Sequence, residues 1–146
     1  MSRLFPAPHR RLKAGFALAI IGLALVVSQI VWSSPPTVSP QTLATQVTAD
    51  EAPFLLDVRS EQEFAEGHIP GAMNMPYRQI PERLDELQPW ADKPIILYCE
   101  VGIRAGVAEA VLEQAGFQQI LMLEGHMQAW RQVGLPIDKA SPVSTP

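Results

Sequence analysis

Short apolar runs alternate with stretches of helical periodicity after residue 50. The runs are FLLDV at 54–58, AMNM at 72–75, IILY at 95–98 and ILML at 120–123. Runs of this length, apolar at successive positions rather than at every second one, predict strands covered on both faces. Between them, Glu61 to Glu66 predicts a short helix stopped by Gly67, and Ile80 to Leu87 an amphipathic segment with Leu84 and Leu87 on one side. From Ala105 the spacing of Val107, Ala108, Val111, Leu112 and Ala115 predicts a helix with those residues on one face and Gly116 as its stop. A short helix over Thr42 to Val47 and a last one carrying Met127 and Trp130 complete the pattern. Strands separated by helical segments predict an α/β fold: a doubly wound, mostly parallel sheet with helices on both faces. In such sheets ligands gather outside the carboxyl ends of the strands.

The N-terminus breaks this pattern. Arg3, Arg10, Arg11 and Lys13 precede an uninterrupted apolar run from Ala14 to Val27, resumed at Ile30 to Trp32. As a helix, residues 14–32 would extend about 28 Å, close to the hydrocarbon thickness of a bilayer. Residues 1–13 then read as a basic cytoplasmic region, and 14–32 as a membrane anchor that sends the rest of the chain out of the cytoplasm. A cleaved signal segment, leaving a periplasmic protein, is the competing reading. Residues 33–41, rich in Pro and Ser, predict an extended linker; 42–139 predict the folded domain, and 140–146 a disordered tail.

Charge and composition narrow the chemistry. All fifteen acidic residues follow the anchor, together with seven of the eleven Lys and Arg, so the domain carries 7 − 15 = −8. That balance argues against nucleic acid as a partner. A single cysteine excludes an internal disulfide and a multi-cysteine metal site. His9, His68 and His126 are too scattered to suggest a metal, and no cofactor motif is present.

That one cysteine, Cys99, lies where the strand IILY passes into the next helix. Backbone N–H groups of such a turn, and the unpaired ones of the helix behind it, favour negative charge at their focus. A thiol placed there can serve as a thiolate nucleophile. The alternative is a small buried apolar residue at a strand end. Position alone leaves both readings open.

Three stretches together carry a family resemblance. LLDVRSEQEFAEGHIPGAMNMP resembles the N-terminal signature of the rhodanese family, CEVGIRA its active-site loop, and LEGHMQAWRQVGLPI its C-terminal signature. The resemblance covers residues 42–139. It implies a sulfurtransferase in which Cys99 accepts a sulfane sulfur from thiosulfate or a similar donor as a persulfide, then passes it to cyanide or a thiol. The loop Glu100, Val101, Gly102, Ile103, Arg104 and Ala105 would bind the anionic donor, through backbone N–H groups and the Arg104 fork. Related cell-cycle phosphatases place five residues between Cys and Arg; here there are four, which favours sulfur over phosphate. Two further readings stay open: a persulfide carrier that delivers sulfur to another extracytoplasmic protein, and a non-catalytic binding module.

The neighbouring residues carry plainer expectations. Asp57, Arg59 and His68 are expected to be structural, Trp90 and Trp130 to fill the core, and His126 to be a surface residue, with a place lining the mouth of the site as the alternative. Glu100 sets a carboxylate beside the nucleophile, unfavourable for anion binding unless its side chain turns away.

Overall fold

The computed structural model describes residues 35–139. A parallel sheet of five strands forms its centre: β1 (Thr37–Val38), β2 (Phe54–Asp57), β3 (Met73–Asn74), β4 (Ile95–Tyr98) and β5 (Ile120–Leu123). Their spatial order is β1-β5-β4-β2-β3, and every neighbouring pair is parallel. The helices are α1 (Pro40–Thr48), α2 (Glu61–Glu66), α3 (Leu84–Leu87), α4 (Ile103–Gln114) and α5 (His126–Gln132).

Strand β4 shows why the fold is layered on both sides. Successive side chains of a strand point to opposite faces. Ile95, Leu97 and Cys99 accordingly enter one core with Ala105, Ala108 and Leu112 of α4, and Ile80 and Leu87. Ile96 and Tyr98 enter the other, with Leu43 of α1 and Met127 and Trp130 of α5. Both faces are thus packed, which is what continuous apolar runs require. Trp130 is fully buried and its indole N–H donates to the Pro136 carbonyl at 2.8 Å. Trp90 is only partly buried and stacks on Phe54, ring centroids 4.0 Å apart, at the edge of the first core.

Several elements differ from the sequence reading. Thr37–Val38, inside the stretch read as a linker, pairs with Met122 and Leu123. Ser39 then caps α1, its hydroxyl accepting from the Thr42 N–H, with Pro40 opening the helix. The segment Ile80 to Leu87 is not one helix. It divides into a 3₁₀ turn, Ile80–Glu82, and the single turn α3, and it buries Ile80 and Leu87 while Leu84 is half-exposed. Helix α4 starts at Ile103, two residues earlier than expected, and Val107 is 49% exposed instead of packed, because Ala105, Ala108 and Leu112 form the inner face. Among the described residues no helix is long and apolar enough to cross a membrane. The segment 14–32 read as an anchor, and the tail 140–146, lie outside the described residues.

Candidate active site

The carboxyl ends of β2, β3 and β4 lie side by side, Asp57 in register with both Asn74 and Tyr98. From β2 the chain moves outward to β3, and from β4 it moves the other way to β5. Loops leaving in opposite directions open a crevice between those strands. Cys99 is the residue after β4, at that opening.

A buried ion pair forms the floor. Asp57 and Arg59 are both fully buried, the Arg59 Nη2 lying 2.6 Å and its Nε 3.0 Å from the Asp57 carboxylate. The same Nη2 donates to the Gly67 carbonyl at 2.8 Å, which ties β2 to the end of α2. Burial works against the Arg59 charge, yet the Asp57 hydrogen bonds and charge outweigh it and hold its pKa above the usual value. Asn74 donates to the carbonyls of Asp57 and Arg59, at 2.9 and 3.0 Å, which fixes the loop after β2. His68 also serves the framework, stacked on Phe64 with its Nδ1 2.8 Å from the Phe64 carbonyl.

Above that floor, the loop from Cys99 to Gly102 turns back on itself. Gly102 has φ +107°, a conformation L-residues rarely adopt, and its N–H points at the Cys99 sulfur from 3.1 Å. The helix behind it presents the N–H groups of its first turn, which have no intrahelical acceptor. These donors favour negative charge on and near the sulfur. Cys99 itself is 1% exposed, so only the mouth of the loop gives access to it.

The loop side chains divide by role. Val101 and Ile103 point to solvent, 57% and 78% exposed, and Ala105 is buried in the core, so these residues offer the crevice their backbone alone. Arg104 donates to both oxygens of Glu63 on α2, at 2.6 and 2.7 Å. That bidentate pair, foremost, holds the Glu63 carboxyl down to about 2 and raises the Arg104 pKa, with a lesser contribution from Cys99. The Arg104 fork expected to grip a donor is therefore engaged by Glu63, and its charge is what remains directed at the sulfur.

Glu100 turns away from the nucleophile. Its carboxylate lies 2.5 Å from Arg131 on α5 and 3.5 Å from Arg59, so two cations offset the charge that looked unfavourable. His126 is not a surface residue. It is half-buried under the loop, with its Nδ1 3.4 Å from the Cys99 N–H, and burial lowers its pKa. The carbonyls of Cys99 and Glu100 accept from the N–H groups of Met127 and Gln128, docking the start of α5 against the loop. Partners such as Glu63 and Arg131 were beyond sequence reasoning, being 41 and 31 positions from the residues they bind. The one local trace was Ser60-x-x-Glu63, a reciprocal capping box that α2 uses.

Comparison with known proteins bears on the fold that carries this site. A sulfurtransferase of Allochromatium vinosum is 35% identical over 100 residues, which is 68% of this chain and 92% of that protein. The chain spans 53%, 60% and 59% of three further curated relatives. A rhodanese-related protein of Thermoplasma volcanium superposes with a TM-score of 0.62 at 28% identity, covering 72% of this chain and 99% of that one. A thiosulfate sulfurtransferase of Pseudomonas aeruginosa gives a TM-score of 0.63 at 27% identity, over 71% of this chain and 20% of that one. With the Rhodanese-like domain profile matching residues 39–133, the chain belongs to the rhodanese-like family.

Proposed function

We propose that the domain is a sulfurtransferase that carries sulfane sulfur on Cys99. The observation that supports this most is the Cys99 sulfur held 3.1 Å from the Gly102 N–H at the start of α4, with Arg104 beside it. With thiosulfate, the Cys99 thiolate attacks the outer sulfur; the donor S–S bond breaks and its electron pair leaves with sulfite. The product is a Cys99 persulfide that keeps one negative charge. Cyanide or a thiolate then attacks the terminal sulfur and returns Cys99 as the thiolate. No side-chain base is required at either step once the attacking sulfur is a thiolate. Backbone N–H groups from Glu100 to Ala105 hold the sulfonate, and Arg104 contributes its field, since its hydrogen bonds go to Glu63.

The names of the Allochromatium and Pseudomonas proteins support sulfur transfer in general, and the second supports thiosulfate as the donor. A second reading draws on Val101 and Ile103, apolar and exposed on either side of Gly102. They suit a protein acceptor that covers the mouth of the loop, so that the domain acts as a persulfide carrier. In either case residues 14–32 hold the domain at the inner membrane, outside the cytoplasm, and a protease-accessibility assay on spheroplasts tests that placement.

Mass spectrometry of the purified domain after exposure to thiosulfate tests the central step. The expected result is the gain of one sulfur atom on Cys99, lost again on adding cyanide with release of thiocyanate. Cys99→Ser should fold normally yet form neither adduct nor thiocyanate. Thiocyanate production by that variant at the wild-type rate would remove Cys99 from the mechanism.

A further inference from the structure

An open cleft of about 330 Å³ borders the sulfur site, lined by Ser60, Pro76, Tyr77, Arg78 and Arg104. Arg104 links the two, since it lines the cleft and stands in the first turn of α4, directly after the Cys99 loop. The polar groups of this lining are not equally free. Ser60 donates its hydroxyl to Glu63 at 2.8 Å, and Arg104 gives its fork to the same carboxylate. Arg78 differs. Arg59, Arg83, Arg104 and Arg131 each lie against a carboxylate, whereas Arg78, among the described residues, donates its Nε to the Tyr77 hydroxyl at 2.9 Å. Its guanidinium carbon also stands 5.4 Å from the Tyr77 ring centroid, a cation–π arrangement that orders the side chain. The terminal nitrogens of Arg78 and the hydroxyl proton of Tyr77 remain able to donate to an anion in the cleft.

Thiosulfate has no use for such a group. Its sulfonate sits directly on the sulfane sulfur and is served by the loop N–H groups beside Cys99. A cation in an adjoining cleft suits a donor whose negative charge is several bonds from the sulfur it gives up.

We infer that the Tyr77–Arg78 pair is a second anion subsite, which selects low-molecular-weight organic persulfides bearing a carboxylate as sulfur donors. The inference rests on the sulfurtransferase reading and names the donor class for the same nucleophile. The transfer balances without any further reagent. The Cys99 thiolate attacks the outer sulfur of R–S–S–H, the donor S–S bond breaks, and its electron pair leaves as R–S⁻. The outer sulfur moves to Cys99 with its proton as Cys99–S–S–H. The carboxylate on R lies against Arg78 throughout and takes no part in the chemistry.

Two donors that differ only in that charge test the inference: N-acetylcysteine persulfide and the persulfide of N-acetylcysteine amide. A charge-assisted contact at an exposed arginine should favour the acid about threefold to tenfold in kcat/KM. In Arg78→Gln the ratio of acid to amide should fall to about one, the amide serving as the internal reference for any general effect on the fold. The same preference should appear without turnover, as tighter calorimetric binding of N-acetylcysteine than of its amide to the wild type but not to Arg78→Gln. A wild-type ratio near one, or a preference for the acid that survives Arg78→Gln, overturns the subsite. Failure of every donor to load Cys99 would overturn the sulfurtransferase reading instead, and the binding measurement would then decide the subsite by itself.

Discussion

At Gly102 two demands meet that no other residue type satisfies. Its φ of +107° is outside the range of L-side chains, and a Cβ built there would stand 2.8 Å from Nε2 of His126. The same backbone aims the Gly102 N–H at the Cys99 sulfur. Gly102→Ala should therefore lower stability by about 1–3 kcal/mol through strain alone, and more through the contact with the imidazole. The two causes separate in a second background. His126 itself has φ +54°, so His126→Gly is tolerated by the backbone and removes the ring. Urea denaturation should show Gly102→Ala costing less in His126→Gly than in the wild type, though still at least the strain. Equal costs in both backgrounds would mean that the ring moves aside freely. Little of this was legible in CEVGIRA. The sequence pointed to a tight turn at Gly102, but the imidazole that fills the space above it comes from a residue read as lying on the surface.

Among the elements, strands were easier to read than helices. FLLD, IILY and ILML announce themselves because both faces of their sheet are covered, so every position is apolar except Asp57, which is buried against Arg59. The pattern after Ala105 indicates helix α4 in outline, yet its buried face is made of Ala105, Ala108 and Leu112; small alanines carry almost no hydropathic signal, and the larger Val107 points to the wrong face. Strand β1 is two residues long and follows prolines, so its identity comes from pairing with β5 and not from its own composition. Contacts between elements were not legible at all, and the Glu63–Arg104 bridge from α2 to α4 is the one with the clearest consequence. Arg104 holds the Glu63 carboxyl down to about 2, below its ordinary value of 4.5. A depressed carboxylate binds fewer protons in the folded state than in the unfolded one, so the bridge stabilises above about pH 4.5 and its contribution fades as pH falls toward 2. Glu63→Gln keeps an acceptor for the Ser60 cap and removes the charge. Its stability deficit should be about 1 kcal/mol or less at pH 7, and should shrink steadily below pH 4.5 in thermal melts. A deficit that is the same at pH 3 and pH 7 would assign the loss to the cap and not to the bridge.

Over the whole molecule, charge sets a condition that individual contacts do not reveal. The domain carries −8, while its reaction centre must admit anions. Near the sulfur that excess is locally balanced: Arg59 and Arg131 offset Glu100, and Arg104 offsets Glu63. At contact distance thiosulfate meets the loop N–H groups and the charge of Arg104. Farther out it meets the net negative field. At about 0.01 M ionic strength that field reaches roughly 30 Å, and at 0.15 M about 8 Å. Salt should therefore remove the long-range repulsion while leaving the short-range, partly buried donors in place. Thiosulfate is a dianion, so its kcat/KM should rise severalfold between those ionic strengths, an effect carried by KM because approach and not chemistry is altered. The amide persulfide, which lacks the carboxylate and carries less negative charge than the thiosulfate dianion, should show a smaller rise over the same range. If kcat/KM for thiosulfate falls with salt instead, the cations at the mouth of the site dominate from a distance as well, and the net charge of the domain has no part in selecting its donors.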